Sequence, residues 1–162
     1  MILRDVVHAD IPALIAIMAP IIHDTTASFS DEERDEAGWA AMIAARRAAG
    51  RAFVVAEADG VVLGYGTYDQ FRSNNGYRLT MEHSIYLSPD AQGRGLGRKL
   101  MVALEDHARA AGAHSMFGGI DADNASSISF HEAVGYVQVA RLPQVGFKFN
   151  RWLDLILMQK IL

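Results

Sequence analysis

The stretch from Leu79 to Gly112 constrains the fold more than any other. "LTMEHSIYL" alternates, placing Met81, His83, Ile85 and Leu87 on one face of a strand and Thr80, Glu82, Ser84 and Tyr86 on the other. Pro89 closes it. "DAQGRGLGRKL" follows, with Gly93, Gly95 and Gly97 on alternate positions, and then Leu96, Leu100, Leu104 and Ala108 recur every fourth residue as far as Gly112. A strand passing through a glycine-rich turn into an amphipathic helix calls for an α/β arrangement in which the helix covers a sheet.

The flanking segments extend that arrangement. "ILRDVV" reads as a strand, followed by a helix opened by Asp10, with Pro12 in its first turn and Leu14, Ile17, Met18 and Ile21 as its apolar stripe. Pro20 is expected to bend or end it. Ser30 and Glu33 have capping-box spacing, which predicts a second helix from Asp31 to about Ala49. "AFVVAEA" and "VVLGYGTYDQF" are strands joined at Asp59-Gly60, a hairpin signal. After "SMFGGI", a further strand, Asn124 caps a helix over "ASSISFHEAV" that Gly135 stops, and "YVQVARL" and "WLDLILMQKIL" are the last strands. The order βααβββαβαββ predicts one α/β (α+β) domain over residues 1–162, with a mixed, mostly antiparallel sheet flanked by helices.

Composition narrows the function. With 51% hydrophobic and 21% charged residues the chain is rich enough in apolar side chains to fold around a core. A net charge of −4 offers no broad basic surface, so nucleic acid is not an expected partner. The absence of cysteine removes disulfides, thiolate metal sites and a thioester on the protein, and fits a reducing cytoplasm. "IPALIAIMAPII" is shorter than the roughly 20 residues a membrane helix needs, and acidic residues precede it where a signal peptide would be basic. A soluble, cytoplasmic protein without membrane association is expected.

The glycines point to an anion. First-turn amides of a helix have no partners within it, the helix dipole favours negative charge, and residues without a Cβ let a pyrophosphate come close. Arg94, Arg98 and Lys99 could add positive charge. A dinucleotide fingerprint starting at Gly93 would need Gly or Ala where Arg98 stands, and a P-loop would need Ser or Thr after Lys99, where Leu100 stands.

Gln92-Gly93-Arg94-Gly95-Leu96-Gly97, between a strand and a helix, resembles the Q/R-x-x-G-x-G/A acetyl-CoA motif of the GNAT N-acetyltransferases. "TMEHSIYLSPDAQGRGLGRKL", "SFHEAVGY" and "PQVGFKFNRWLDLILMQ" resemble its phosphinothricin and methionine sulfone/sulfoximine acetyltransferase branch, over nearly the whole chain. The resemblance implies acetyl-CoA as co-substrate, with its pyrophosphate on the amides of residues 93 to 98 and its pantetheine arm along Ile85, Tyr86 and Leu87. It also implies that Asn124 touches the cofactor. Asn124 and His131 lie about two helical turns apart and can share a face.

An amine acceptor is mostly ammonium at neutral pH, so a base must remove a proton before attack on the thioester. Glu82 is the candidate, directly or through a water, with a pKa raised by burial. His131 stands where many relatives carry a tyrosine that protonates the departing thiolate. It is the candidate acid or a hydrogen-bonding partner of the sulfur, and a helix-surface role is the alternative. His83, on the opposite strand face from Glu82, is expected to pack, while Glu82, His83 and Ser84 together border the acceptor. A backbone N–H of the strand is the expected oxyanion donor. No cysteine or G-x-S-x-G elbow supports an acyl-enzyme, so transfer is expected to be direct.

The α-carboxylate of an amino-acid acceptor suits an arginine, and Arg72 and Arg78 flank the loop before the strand. In the resembling enzymes the residues matching Arg72, Ser73 and Asn74 line the acceptor site. Phe29 and Phe71 could form its apolar side or serve as core, and they stand where methionine-sulfone relatives carry tryptophan. The resemblance implies a homodimer to which "VGFKFNRW" contributes surface, and no metal. The expected activity is acetylation of the α-amine of a small amino acid or analogue such as methionine sulfone, methionine sulfoximine or phosphinothricin. A polyamine or protein N-terminus, or a non-catalytic acyl-CoA sensor, are the alternatives.

Overall fold

A computed structural model describes residues 1–162. Seven strands form one sheet: β1 (Ile2–Asp5), β2 (Phe53–Ala58), β3 (Val61–Gln70), β4 (Thr80–Leu87), β5 (Ser115–Asp121), β6 (Val137–Lys148) and β7 (Arg151–Ile161). Four helices cover it: α1 (Ile11–Asp24), α2 (Glu36–Ala48), α3 (Leu96–Ala110) and α4 (Ala125–Ala133). The strand order is β1-β2-β3-β4-β5-β7-β6. All neighbours are antiparallel except β4 and β5, which run parallel. The element order and the mixed, mostly antiparallel sheet match the expectation.

Alternation on the strands sorts side chains into two main cores. On one face Trp39 and Ile43 of α2 and Leu14, Ile17 and Met18 of α1 pack on Phe53, Val55 and Tyr65. Trp39 meets Tyr65 edge-on at 5.5 Å. On the other, Met101, Leu104 and Ala108 of α3 close over Tyr68, Met81, Met116 and Met158. Removing a fully buried apolar side chain from either core costs about 2–5 kcal/mol.

Three local expectations need correction. Pro20 does not end α1, which continues to Asp24 because Ile17, Met18 and Ile22 are buried on the sheet on both sides of it. Helix α2 starts at Glu36 rather than Asp31: Asp35 is its cap, accepting from the Gly38 N–H at 2.7 Å, and the Ser30 hydroxyl turns to the Glu32 carbonyl. Residues 25 to 29, just before it, are instead tied to β5 and β6 by tertiary contacts. Finally, "PQVGFK" is strand, the end of β6, and it joins β7 through a two-residue turn in which Phe149 and Asn150 have φ of +52° and +57°.

Candidate active site

Strands β4 and β5 pair only at Thr80–Ser115, Met81–Met116 and Glu82–Phe117. Beyond Glu82 they part, while β4 keeps its other neighbour, β3, as far as Leu87. One edge of β4 is therefore left without a strand partner, and a cleft of about 440 Å³ opens beside it. Glu82 to Leu87, Gln92, Gly97, Asn124 and His131 all line this cleft.

The glycine turn forms one end. Gly93 and Gly95 both adopt φ +75°, a conformation costly for residues with a Cβ, and open space lies where a Cβ would be. Gly97 differs: it is inside α3, and a Cβ there would meet the Phe130 ring at 3.4 Å. Gly95 caps the helix without a side-chain acceptor, and no backbone carbonyl accepts from the N–H groups of residues 93 to 98. The Lys99 N–H is the first to find one, the Gly95 carbonyl at 3.3 Å. This is a cradle of unpartnered donors at the positive end of a helix, suited to an anion. Leu96 contributes only its backbone, since its side chain is 1% exposed. Arg94 and Arg98 are exposed, and the Arg98 guanidinium donates to the Ala133 carbonyl at 3.3 Å.

Asn124 caps α4 through its side-chain oxygen, which accepts from the Ser127 N–H at 3.1 Å and the Ser126 hydroxyl at 3.0 Å. That leaves its NH₂ group for a ligand in the cleft.

The Glu82 carboxylate hydrogen-bonds to no protein group, and burial raises its pKa, with the Arg72 charge partly opposing the rise. Asp69 lies opposite it on β3, but that charge is neutralised by ion pairs to Arg46 and Arg51. Phe71 stacks on Phe117, the β5 partner of Glu82, with centroids 4.6 Å apart, and Arg72 lies over Phe71 at 5.3 Å. The structure thus sets Phe71 and Arg72 near Glu82, though outside the cleft lining. It does not bring Ser73, Asn74 or Arg78 into the cleft lining: all three are exposed, and the Arg78 guanidinium donates to the Asn75 carbonyl. Phe29 packs against Gly146 of β6 and is also absent from the lining.

His131 is not a helix-surface residue. It is 6% exposed and its Nε2 lies 3.2 Å from that of His83, which is 8% exposed. The Ser127 carbonyl, which can only accept, lies 2.7 Å from His131 Nδ1, so Nδ1 carries the proton. Neutral His131 then accepts at Nε2, and His83 donates to it, leaving His83 Nδ1 bare, buried and without a partner. Burial lowers both pKa values, that of His83 to about 3 with His131 contributing. With both ring nitrogens engaged, His131 has no free N–H to offer a sulfur, which removes the geometric support for an acid.

Sequence reasoning missed Thr25, Ala27, Met101, Gly119, Asp121 and Phe130 in the lining. Gly118-Gly119 inside a strand was the available signal, since such glycines mark close approach.

Residues 18–136 match the acetyltransferase (GNAT) family. The chain belongs to that family. This GNAT chain is 44% identical to the L-amino acid N-acyltransferase MnaT of Escherichia coli, across 93% of this chain and 88% of the relative. It is 43% identical to an L-methionine sulfoximine/L-methionine sulfone acetyltransferase of Salmonella typhimurium, across 98% and 93%. A GNAT superfamily phosphinothricin acetyltransferase from Sinorhizobium meliloti, solved in complex with acetyl-CoA, superposes with a TM-score of 0.95 at 34% identity, across 99% of this chain and 88% of that one. No helix of this GNAT chain is long and apolar enough to cross a membrane.

Proposed function

We propose that the protein transfers the acetyl group of acetyl-CoA to the α-amine of a small L-amino acid or analogue, of the class of methionine sulfone, methionine sulfoximine or phosphinothricin. One observation carries this reading: the parting of β4 and β5 opens a single cleft with a half-buried carboxylate, Glu82, near one end and the amide cradle of residues 93 to 98 at the other. The relatives named above support the acceptor class.

The amides of residues 93 to 98 would hold the pyrophosphate of acetyl-CoA, the free edge of β4 at Ile85, Tyr86 and Leu87 would bond its pantetheine amides, and the Asn124 NH₂ would donate to it. Glu82 takes one proton from the acceptor ammonium, directly or through a water, and the freed lone pair forms the N–C bond. An unpartnered N–H of β4 donates to the oxyanion that develops on the attacked carbonyl. The C–S bond then breaks, the nitrogen releases its second proton to water to leave the neutral amide, and the sulfur departs as a thiolate. Thiols of this kind have a pKa near 8.5, so the thiolate takes its proton from water without needing His131. Glu82 returns its proton to solvent. Arg72, beside Phe71, is the candidate for the acceptor α-carboxylate.

The same reading includes one domain over residues 1–162, a cytoplasmic location and a homodimer. Val145, Phe147, Phe149 and Trp152 are each at least 50% exposed around the β6–β7 turn, an apolar surface suited to a second copy.

Free-thiol release from acetyl-CoA, measured with L-methionine sulfone, L-methionine sulfoximine, L-phosphinothricin and spermidine against a no-acceptor control, tests the proposal. Release with any of the three amino acids supports it. Release with spermidine alone, or tight acetyl-CoA binding with no release at all, overturns it in favour of a polyamine enzyme or a sensor.

A further inference from the structure

Lys148, the last residue of β6, is 1% exposed. Its ammonium donates to the carbonyl oxygens of Thr25 at 2.6 Å and Ser28 at 2.8 Å and sits 4.9 Å from the Phe149 ring centroid. It makes no salt bridge; the acidic charge that acts on it is Asp31, at longer range. A buried ammonium is costly, and an apolar side chain of similar volume would serve packing at least as well. The charge supplies what a methyl group cannot, donors for two carbonyls.

Those carbonyls belong to the segment between α1 and α2, which crosses the sheet without secondary structure of its own. Two further contacts tie it down. The Thr26 hydroxyl donates to Asp121 of β5, and the Phe29 ring rests on Gly146, where a Cβ would come within 2.5 Å. Between these anchors, Thr25 and Ala27 line the cleft that Glu82 also lines. Neither residue is near the cradle of residues 93 to 98 in the chain, and no contact of Lys148 reaches α3.

We propose that Lys148 is a positioning residue for the acceptor: by holding the Thr25 and Ser28 carbonyls it sets the wall of the cleft against which an amine bound at Glu82 is placed. This rests on reading that cleft as the site of acetyl transfer. Lys148 touches neither substrate, so the proposal concerns acceptor affinity rather than chemistry or acetyl-CoA binding.

Lys148→Met keeps the stem and removes the donors. Its acceptor KM is expected to rise by about tenfold or more, the size of a lost charge-assisted hydrogen bond. Its acetyl-CoA Kd is expected to stay within about twofold of wild type, and kcat at saturating acceptor within about threefold. Hydrogen exchange is expected to speed up in residues 25 to 35 and stay unchanged in α3. An unchanged acceptor KM, or a parallel loss of acceptor and acetyl-CoA affinity, overturns the proposal. If Lys148→Met does not fold, Lys148→Gln, with one donor group, carries the same comparison; if neither folds, the lysine is a stability element and the proposal fails. Should the wild type acetylate no amino acid, the functional reading fails separately, and exchange in residues 25 to 35 still decides whether Lys148 sets that segment.

Discussion

His83 of β4 and His131 of α4 stack inside the protein with 12° between their ring planes and 3.2 Å between their Nε2 atoms. Tyr136 stands edge-on to both rings. Gly118 makes room for the pair, since a Cβ there would lie 2.8 Å from His83 Nε2 and 2.9 Å from His131 Nε2.

Gly118→Ala is therefore expected to destabilise the protein by about 1–3 kcal/mol through overpacking. Gly119→Ala is the control: its Cβ would meet Leu155 at an ordinary 3.5 Å, and its effect is expected to stay within about 0.5 kcal/mol. Urea unfolding of the two variants measures this, and equal losses would show that the histidine pair is not the constraint.

The same pair predicts acid sensitivity. Burial holds both imidazoles below the usual histidine range, His83 at about 3, whereas in the unfolded chain each titrates near 6.5. Below about pH 6.5 the unfolded state binds more protons than the folded one, so the pair's contribution is complete above that pH and declines towards pH 3. Thermal midpoints are expected to fall more steeply between about pH 7 and about pH 5 for the wild type than for His83→Gln. Parallel slopes would show that His83 titrates in the folded protein as it does in the unfolded chain.

Glu82 must be deprotonated to accept a proton, so kcat/KM is expected to fall on the acid side, with a midpoint above the ordinary 4.5 of a glutamate. Arg72→Ala removes the opposing charge and should move that limb to higher pH. Glu82→Gln should lower kcat by about 10²- to 10⁴-fold while acetyl-CoA still binds, as read by calorimetry. An unchanged kcat would remove Glu82 from the chemistry.

The three glycines should not behave alike. Gly95→Ala forces a Cβ onto a backbone at φ +75°, a strain of about 1–2 kcal/mol, and is expected to weaken acetyl-CoA binding by about tenfold. Gly97→Ala places its Cβ against Phe130 at 3.4 Å and should leave affinity within about threefold. Dissociation constants for the two variants make the comparison.

Phe147 and Trp152 face each other across the β6–β7 hairpin with centroids 5.0 Å apart and are 53% and 61% exposed. If this face joins two copies, Trp152→Glu should convert dimer to monomer in sedimentation velocity. A wild type that already sediments as a monomer would refute the dimer.

Some features were legible because their causes are local. The alternation of residues 79 to 87, the Asp59-Gly60 hairpin and the four-residue rhythm after Leu96 depend on neighbours close in the chain, and the element order followed from them. The Ser30–Glu33 capping box misled because the Ser30 hydroxyl bonds to Glu32, Asp35 caps the helix, and the segment just before, residues 25 to 29, answers to distant partners, Lys148, Asp121 and Gly146. The turn at Phe149-Asn150 escaped because neither residue is glycine.

At the site the division is the same. The sequence by itself determined the bare amide cradle, since glycine φ and helix N-termini are local properties, and it put Glu82 on one strand face and His83 on the other. Only the tertiary structure decided that β4 and β5 part at Glu82, that His131 turns its Nε2 to His83, and that Arg72 rather than Arg78 lies near the carboxylate. Those outcomes depend on contacts between residues far apart in the chain, whose distances and burial are set by how helices and strands pack rather than by any local preference.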